Sequence, residues 1–384
     1  VCKALYNVYF HRLSAFKGPK LYAASDIPLV ILQLRGVTQY TLREAHERYG
    51  DVVRIGPTTL SFIAPSAWND IYGYRNGIAV LPKDPQFYNE MMLPKETITL
   101  ASDRDAVPIR RAMNTAFSQK ALLEQEPMLQ THVQRLISRM SQSRDENGAI
   151  DVRKWFTFSI FDINSDFAFG EDMGCVARGA LHDWAQFVVD FFFAATLLHQ
   201  CHKFTPLNRL LALCIPRSVR ERQQGHHEAS LQRVHRRMST DVERPDFMHY
   251  FVRNARKEEL SESVIEAQAS VVILAGSETT SVALTAAVYF VLSHPHVYER
   301  LRKEIRHTFA RREDIGLRDV ISKLPYLEAV VQETLRLHAP LANGFGRVVS
   351  DSKGAVISGY LVPKGVSTAP YLNNQVVILE VSFG

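Results

Sequence analysis

Apolar positions recur every three to four residues over most of this chain, and the pattern changes character only toward its two ends. Thr38 to Tyr49 places Leu42, Ala45, His46 and Tyr49 on one face, with Gly50 as a C-terminal stop, and this predicts a helix. Val52 to Ile63 alternates loosely around Gly56-Pro57, which predicts a two-strand hairpin. From Pro65 to Leu324 nearly every segment has helical spacing, interrupted at Pro82, Pro94, Gly148, Gly170, Pro206, Pro216 and Pro245. Beyond Pro340 come short β-type runs, at Val348-Val349, Ala355 to Ile357 and Tyr360 to Val362. The expected fold is mainly α with a small β-sheet drawn from both ends of the chain. Because the halves of that sheet must meet, residues 1–384 are expected to form a single domain, led in by residues 1–37.

The stretch Val264 to Leu292 has the length of a membrane span, but Ser277, Glu278, Thr279, Thr280 and Ser281 follow one another at its centre. A charged side chain in hydrocarbon costs roughly 2.5–3.5 kcal/mol on insertion scales. A helix buried in a soluble core is therefore the preferred reading, with a multi-helix membrane protein as its rival. Residues four apart share a helix face, so Ala275 and Gly276 are expected under Thr279 and Thr280. Two small residues leave a groove beside a hydroxyl and a carboxyl, which suits a small ligand and a proton relay in a dry pocket. The plainer alternative is a kink where Ser and Thr hydroxyls bond back to the preceding turn. Downstream, Glu333 and Arg336 lie three apart and fit an ion pair on one helix face.

Composition narrows these readings only a little. Hydrophobic residues make up 46% of the chain, enough for a large core. A net charge of +5 is too small to argue for nucleic acid. The basic stretch from Arg217 to Arg237 reads as a solvated helix face, with contact to acidic lipid headgroups as the runner-up. Cys2, Cys175, Cys201 and Cys214 form no Cys-x-x-Cys pair, so reduced thiols are expected, and no metal-ligand set is recognised. The opening residues, Leu5 to His11, lack the make-up of a signal peptide.

Taken together, Ala275-Gly276-Ser277-Glu278-Thr279-Thr280 and the later Glu333-Thr334-Leu335-Arg336, in this order and spacing, resemble the oxygen-binding helix and the Glu-x-x-Arg helix of a cytochrome P-450. The stretch Leu324 to Pro340 is similar to that second helix almost residue for residue, and the resemblance runs from Tyr6 to Asn374. Tyr6 to Lys20 resembles the segment that follows the membrane anchor in fungal microsomal members. Asp103 to Leu122 resembles the helix whose arginine, here Arg110, pairs with a haem propionate, and Arg347 matches a second propionate-binding arginine. Arg111 reads as a solvated side chain. Phe187 to Leu198 resembles by position the lid helix over a substrate channel, with core packing as the alternative.

The resemblance implies a monooxygenase that inserts one oxygen atom from O2 into an apolar small molecule, in fungal secondary metabolism. Its cofactor would be haem, with electrons from NADPH through a cytochrome reductase. Thr279 and Glu278 would carry the proton relay beside Ala275 and Gly276, and Glu333 with Arg336 would form a buried structural pair. A full-length relative would sit on the cytoplasmic face of the endoplasmic reticulum membrane. This chain without an anchor is expected to be soluble or peripheral to the membrane surface.

The sequence departs from the family pattern at several points. Ala106 replaces a usual second propionate donor. Pro108 is tolerable only in the first helical turn, where Asp105 would cap. Residues 375–384 diverge, and the family's cysteine loop is not found after the Glu-x-x-Arg helix. The expectation is therefore a C-terminally incomplete P-450 fold without its axial cysteine. The alternative function is a truncated, inactive, haem-free protein.

Overall fold

A computed structural model gives the structure of residues 1–73, 80–88, 94–183, 185–186, 199–200, 204, 228, 231–239, 244, 246–341 and 344–370. These residues gather into two compact units. The first comprises Val1–Met92, Ala194–Cys214 and Arg336–Gly384, and the second Leu93–Phe193 and Ile215–Leu335.

The first unit opens with four helices: α1 (Cys2–Tyr9), α2 (Lys20–Ala24), α3 (Ile27–Leu34) and α4 (Thr38–Tyr49). Helix α4 ends at Gly50, whose φ of 99° is a conformation that a side chain disfavours, so the stop read from the sequence has a backbone cause. Strands β1 (Val52–Arg54) and β2 (Thr59–Phe62) form the expected hairpin, and α5 (Pro65–Tyr72) follows. The C-terminal strands are β3 (Arg347–Val348), β4 (Ala355–Ile357), β5 (Tyr360–Val362) and β6 (Ser367–Pro370).

The main sheet has the order β1-β2-β6-β3, with β6 parallel to β2 from Thr59↔Ser367 to Phe62↔Pro370. The two ends of the chain therefore do meet in one sheet. Beneath it Leu13, Leu60 and Phe62 pack with Val349, Ile357 and Val366, all fully or almost fully buried. Strands β4 and β5 make a separate hairpin whose turn residues, Ser358 and Gly359, both have positive φ. That turn matches the right-handed twist of its strands. Arg54 is also buried here, and the turn that follows it satisfies it: Nε and Nη2 donate to the Gly56 and Pro57 carbonyls.

The second unit is helical: α6 (Ala106–Ala116), α7 (Gln119–Glu124), α8 (Glu126–Gln142), α9 (Val152–Phe169), α10 (Cys175–Arg178), α11 (Phe247–Lys257), α12 (Glu262–Ser293), α13 (Pro295–Thr308), α14 (Leu317–Lys323) and α15 (Pro325–Leu337), the last running across the boundary. Its core joins Phe158, Phe161 and Phe169 of α9 to Phe247 and Phe251 of α11 and Ile273 of α12. The Phe247 and Phe251 rings stack at 5.1 Å. Pro108 falls in the first turn of α6, where it removes no helical hydrogen bond. Asp105 does not cap that helix; its carboxylate accepts from the Ser102 hydroxyl instead.

Helix α12 is long and apolar enough to cross a membrane. Burial on all sides was expected, and among the described residues it holds for most sides of the stretch Ala267 to Ile273 but for one face only of the C-terminal half. Ile265, Ala269, Ile273 and Ser277 are buried, whereas Leu284, Tyr289 and Leu292 are exposed. The helix is apolar all round, so sequence alone could not say which face the neighbouring helices would take. The basic stretch is also more structured than a solvated face at its described end. Arg237 pairs at 2.8 Å with Asp246, which is buried, and Arg233 and Arg236 both turn to Glu171. The segment Phe187 to Leu198, the rest of the basic stretch and residues 371–384 lie outside the described residues.

Candidate active site

The polar hexad of α12 divides between two faces. Ser277 and Ser281 face α9: Asn164 Nδ2 donates to Ser277 Oγ at 3.1 Å, and Thr157 Oγ1 and Ser281 Oγ lie 2.8 Å apart. Gly276 also serves this contact. A Cβ placed there would lie 3.0 Å from Asn164 Nδ2, so the missing side chain lets α9 approach. The expected groove of Ala275 and Gly276 is thus corrected. A step of one residue turns the helix by about 100°, which places Gly276 in the packing seam while Ala275 remains exposed.

Thr279 lies one turn from Ala275 and roughly opposite Ser277 and Ser281, and it is half-buried. Its hydroxyl donates to the Ala275 carbonyl at 2.6 Å, the back-bonded geometry open to a mid-helix threonine. The hydroxyl oxygen keeps its lone pairs for accepting a proton donor. Glu278 is half-buried and makes no hydrogen bond or ion pair among the described residues. Both groups are held on a rigid helix whose opposite side is fixed by two interhelical polar contacts.

A buried glutamine anchors the same helix earlier. Gln268 Nε2 donates to the Glu96 carbonyl at 2.8 Å, and its Oε1 accepts from Ile98 N at 2.7 Å. The signal for this in the sequence is a lone amide in the apolar run from Val264 to Ala275. Buried amides of this kind must find partners.

Arg110 projects from α6 into solvent and makes no hydrogen bond or ion pair among the described residues. Arg111, expected to be solvated, is 66% exposed and approaches Glu258 at 3.5 Å. In the other unit Arg347 is half-buried on β3, where Nη1 donates to the Leu81 carbonyl at 3.1 Å and the guanidinium lies 5.8 Å from the Tyr72 ring. Tyr72 in turn donates to the Phe345 carbonyl, and burial pushes its phenol well above the ordinary value. Gly346 makes room for this arrangement, since a Cβ there would meet Phe87 Cβ at 3.0 Å.

Glu333 and Arg336 differ from the buried pair expected of them. Glu333 is exposed and Arg336 half-buried, while Thr334 between them is buried. The face of α15 turned inward is that of Thr334, whose hydroxyl bonds back to Val330, and Glu333 stands about 100° away from it. The start of α15 is held by Glu304 of α13, whose carboxylate accepts from Tyr326 N and Leu327 N. This supplies the cap that Leu324 cannot.

Haem needs cations for its two propionates and a ligand for its iron. Arg110, an uncommitted cation, fits the first need, and Arg347 is a second guanidinium of suitable chemistry. The described cysteines do not fit the second. Cys2 is exposed on α1. Cys175 is buried, and desolvation with the neighbouring Asp162 carboxylate pushes its thiol up to about 12, away from thiolate. Cys201 and Cys214 lie outside the described residues.

Comparison with known proteins agrees with this architecture. The family model for Cytochrome P450 matches residues 27–374. Cytochrome P450 monooxygenase astD of Aspergillus oryzae is 44% identical over 360 residues, covering 94% of this chain and 70% of that protein. Cytochrome P450 monooxygenase astA of Talaromyces wortmannii is 35% identical over 94% of this chain and 72% of its own length. Trichothecene C-15 hydroxylase of Fusarium sporotrichioides is 33% identical over 95% of this chain and 74% of its own length. The chain belongs to the cytochrome P450 family, and the relatives it resembles are named as fungal monooxygenases and a trichothecene hydroxylase. The family implies haem, O2, a small-molecule substrate and a redox partner.

Proposed function

We propose that this protein inserts one oxygen atom from O2 into an apolar small molecule of fungal secondary metabolism, with electrons delivered from NADPH by a cytochrome reductase. Haem supplies the oxygen chemistry when bound, and the protein supplies position and protons. Arg110 and Arg347 would pair with the propionates. Ala275, small and exposed, would leave space beside the cofactor. Thr279 would hold a proton donor by accepting a hydrogen bond while its own hydroxyl donates to the Ala275 carbonyl, and Glu278 would be the terminal proton source. Family membership supports the reaction, and the observation that carries the residue assignment is the Thr279–Ala275 pair standing on the face of α12 opposite the α9 seam. The membrane surface of the endoplasmic reticulum is the proposed location, supported by the exposed Leu5, Tyr6, Tyr9 and Phe10 of the lead-in segment. The alternative of a haem-free non-enzyme gains no support from the relatives.

The test uses the full-length protein with a reductase, NADPH and candidate terpenoid and polyketide substrates. The reduced, carbon monoxide-bound spectrum reports the iron ligand, and product formation reports turnover. Thr279→Ala is expected to slow product formation by about 10²-fold, the scale of a lost proton-transfer group, with little change in substrate binding. Unchanged product formation in Thr279→Ala overturns the relay, and failure to bind haem overturns the reaction.

A further inference from the structure

Residues 231–239 are helical and pass beside the first turn of α12. There His235 Nε2 lies 2.5 Å from Glu266 Oε1 and 3.8 Å from Glu262 Oε1, and the three ligand atoms all fall within 4.8 Å of one another. Glu262 and Glu266 stand one turn apart on one face of α12, a spacing at which like charges repel. Neither carboxylate meets a lysine or arginine among the described residues. Of the cations nearest in sequence to His235, Arg233 and Arg236 turn to Glu171 and Arg237 to Asp246. Two carboxylates and an imidazole from separate helices thus converge, and among the described residues the one ion-pair partner of the carboxylates is His235 itself.

We propose that His235, Glu262 and Glu266 form a binding site for a divalent metal ion of the zinc class. Imidazole and carboxylate bind such ions at about 2.0–2.2 Å, which sets ligand atoms roughly 3–3.5 Å apart around a tetrahedral centre. The observed spacings of 2.5 Å and 3.8 Å lie on either side of that range, and rotation about the glutamate side chains, with no backbone movement, closes the difference. One nitrogen and two oxygens favour zinc or cobalt over the softer ions that thiolates select. His235 and Glu262 are more than half exposed and Glu266 is largely covered, so the ion enters from solvent and completes its shell with water. The bound ion ties the 231–239 segment to the N-terminal turn of α12, the helix that carries Thr279. It would stabilise the fold without touching the reaction.

The test is titration of the metal-free full chain with zinc chloride, followed by calorimetry and thermal melting. The parent is expected to bind one zinc ion that His235→Gln and Glu266→Gln lose or weaken at least about tenfold, and zinc is expected to raise the melting temperature of the parent alone. The chain has 14 histidines, so the informative quantity is the site lost in the variants, and not total zinc bound. Glu262→Gln, at an exposed position, guards against a variant that fails to fold and is expected to show the same loss. Equal stoichiometry, affinity and melting shift in the parent and in Glu262→Gln would overturn the site.

Discussion

His46 of α4 lies buried between the Gly50 carbonyl, 2.9 Å from Nδ1, and the Ser61 hydroxyl, 2.8 Å from Nε2. Desolvation lowers its pKa below 6.5, against smaller opposing effects of the Gly50 carbonyl and Asp51. The unfolded chain therefore binds a proton more readily than the folded one. The stability contributed by the neutral ring is complete above the unfolded pKa and is lost as pH falls through it toward the folded pKa. Replacing the ring with an amide should remove this dependence: His46→Gln is expected to flatten the fall in urea midpoint between about pH 7 and pH 5. An equally steep fall in the variant would show that other groups carry it. At this scale the sequence was informative about residue type and silent about partners. The position of His46 on the buried face of α4 follows from its spacing with Leu42 and Ala45. Its bond to Ser61 depends on where the β1–β2 hairpin packs. The misassignment of Gly276 has the same origin, because Asn164 is more than a hundred positions away in the chain.

Helix α12 places its polar groups on different faces. Ser277 and Ser281 bind α9, Gln268 holds the backbone at Glu96 and Ile98, and Thr279 and Glu278 are the residues proposed for the proton relay. Gln268 is fully buried, so removing its amide orphans one backbone donor and one acceptor at once. Gln268→Leu is expected to destabilise the protein by about 1–3 kcal/mol, since leaving buried polar groups unpaired costs more than a made hydrogen bond contributes. Faster amide exchange at Ile98 would locate the loss, whereas a change under about 0.5 kcal/mol would mean that the segment finds other partners. Helix existence was legible here from the length of the apolar run Val264 to Leu292. The choice of face was not, because an apolar surface on every side gives no direction. On α15 the motif Glu333 to Arg336 marked the helix correctly, but the inward face belongs to Thr334. Breaking a buried ion pair costs about 3–5 kcal/mol, and the exposure of Glu333 places this pair well below that.

The whole chain shows why alternation at the two ends predicted one sheet. Strands β2 and β6 pair in parallel, and a parallel pair requires a crossover, which here takes most of the sequence. The same arrangement makes the core of the first unit a joint product of distant segments. Leu13, Val52, Leu60, Phe62, Ala67, Ile71 and Leu81 come from the N-terminal side, and Val349, Ile357, Val362 and Val366 from the C-terminal side. Residues 1–92 alone would lose the four C-terminal members of this cluster and would expose β2 as an unpaired edge. Backbone ordering costs on the order of 1–2 kcal/mol per residue, and a core stripped of its C-terminal side chains cannot offset it. A fragment of residues 1–92 is therefore expected to show no cooperative urea transition by circular dichroism and to aggregate at micromolar concentration. The full chain, in which β6 covers β2, is expected to unfold with a sigmoidal transition. A sigmoidal transition in the fragment would mean that α1 to α5 and the β1–β2 hairpin form a sufficient core by themselves, and that the C-terminal strands are an addition to it.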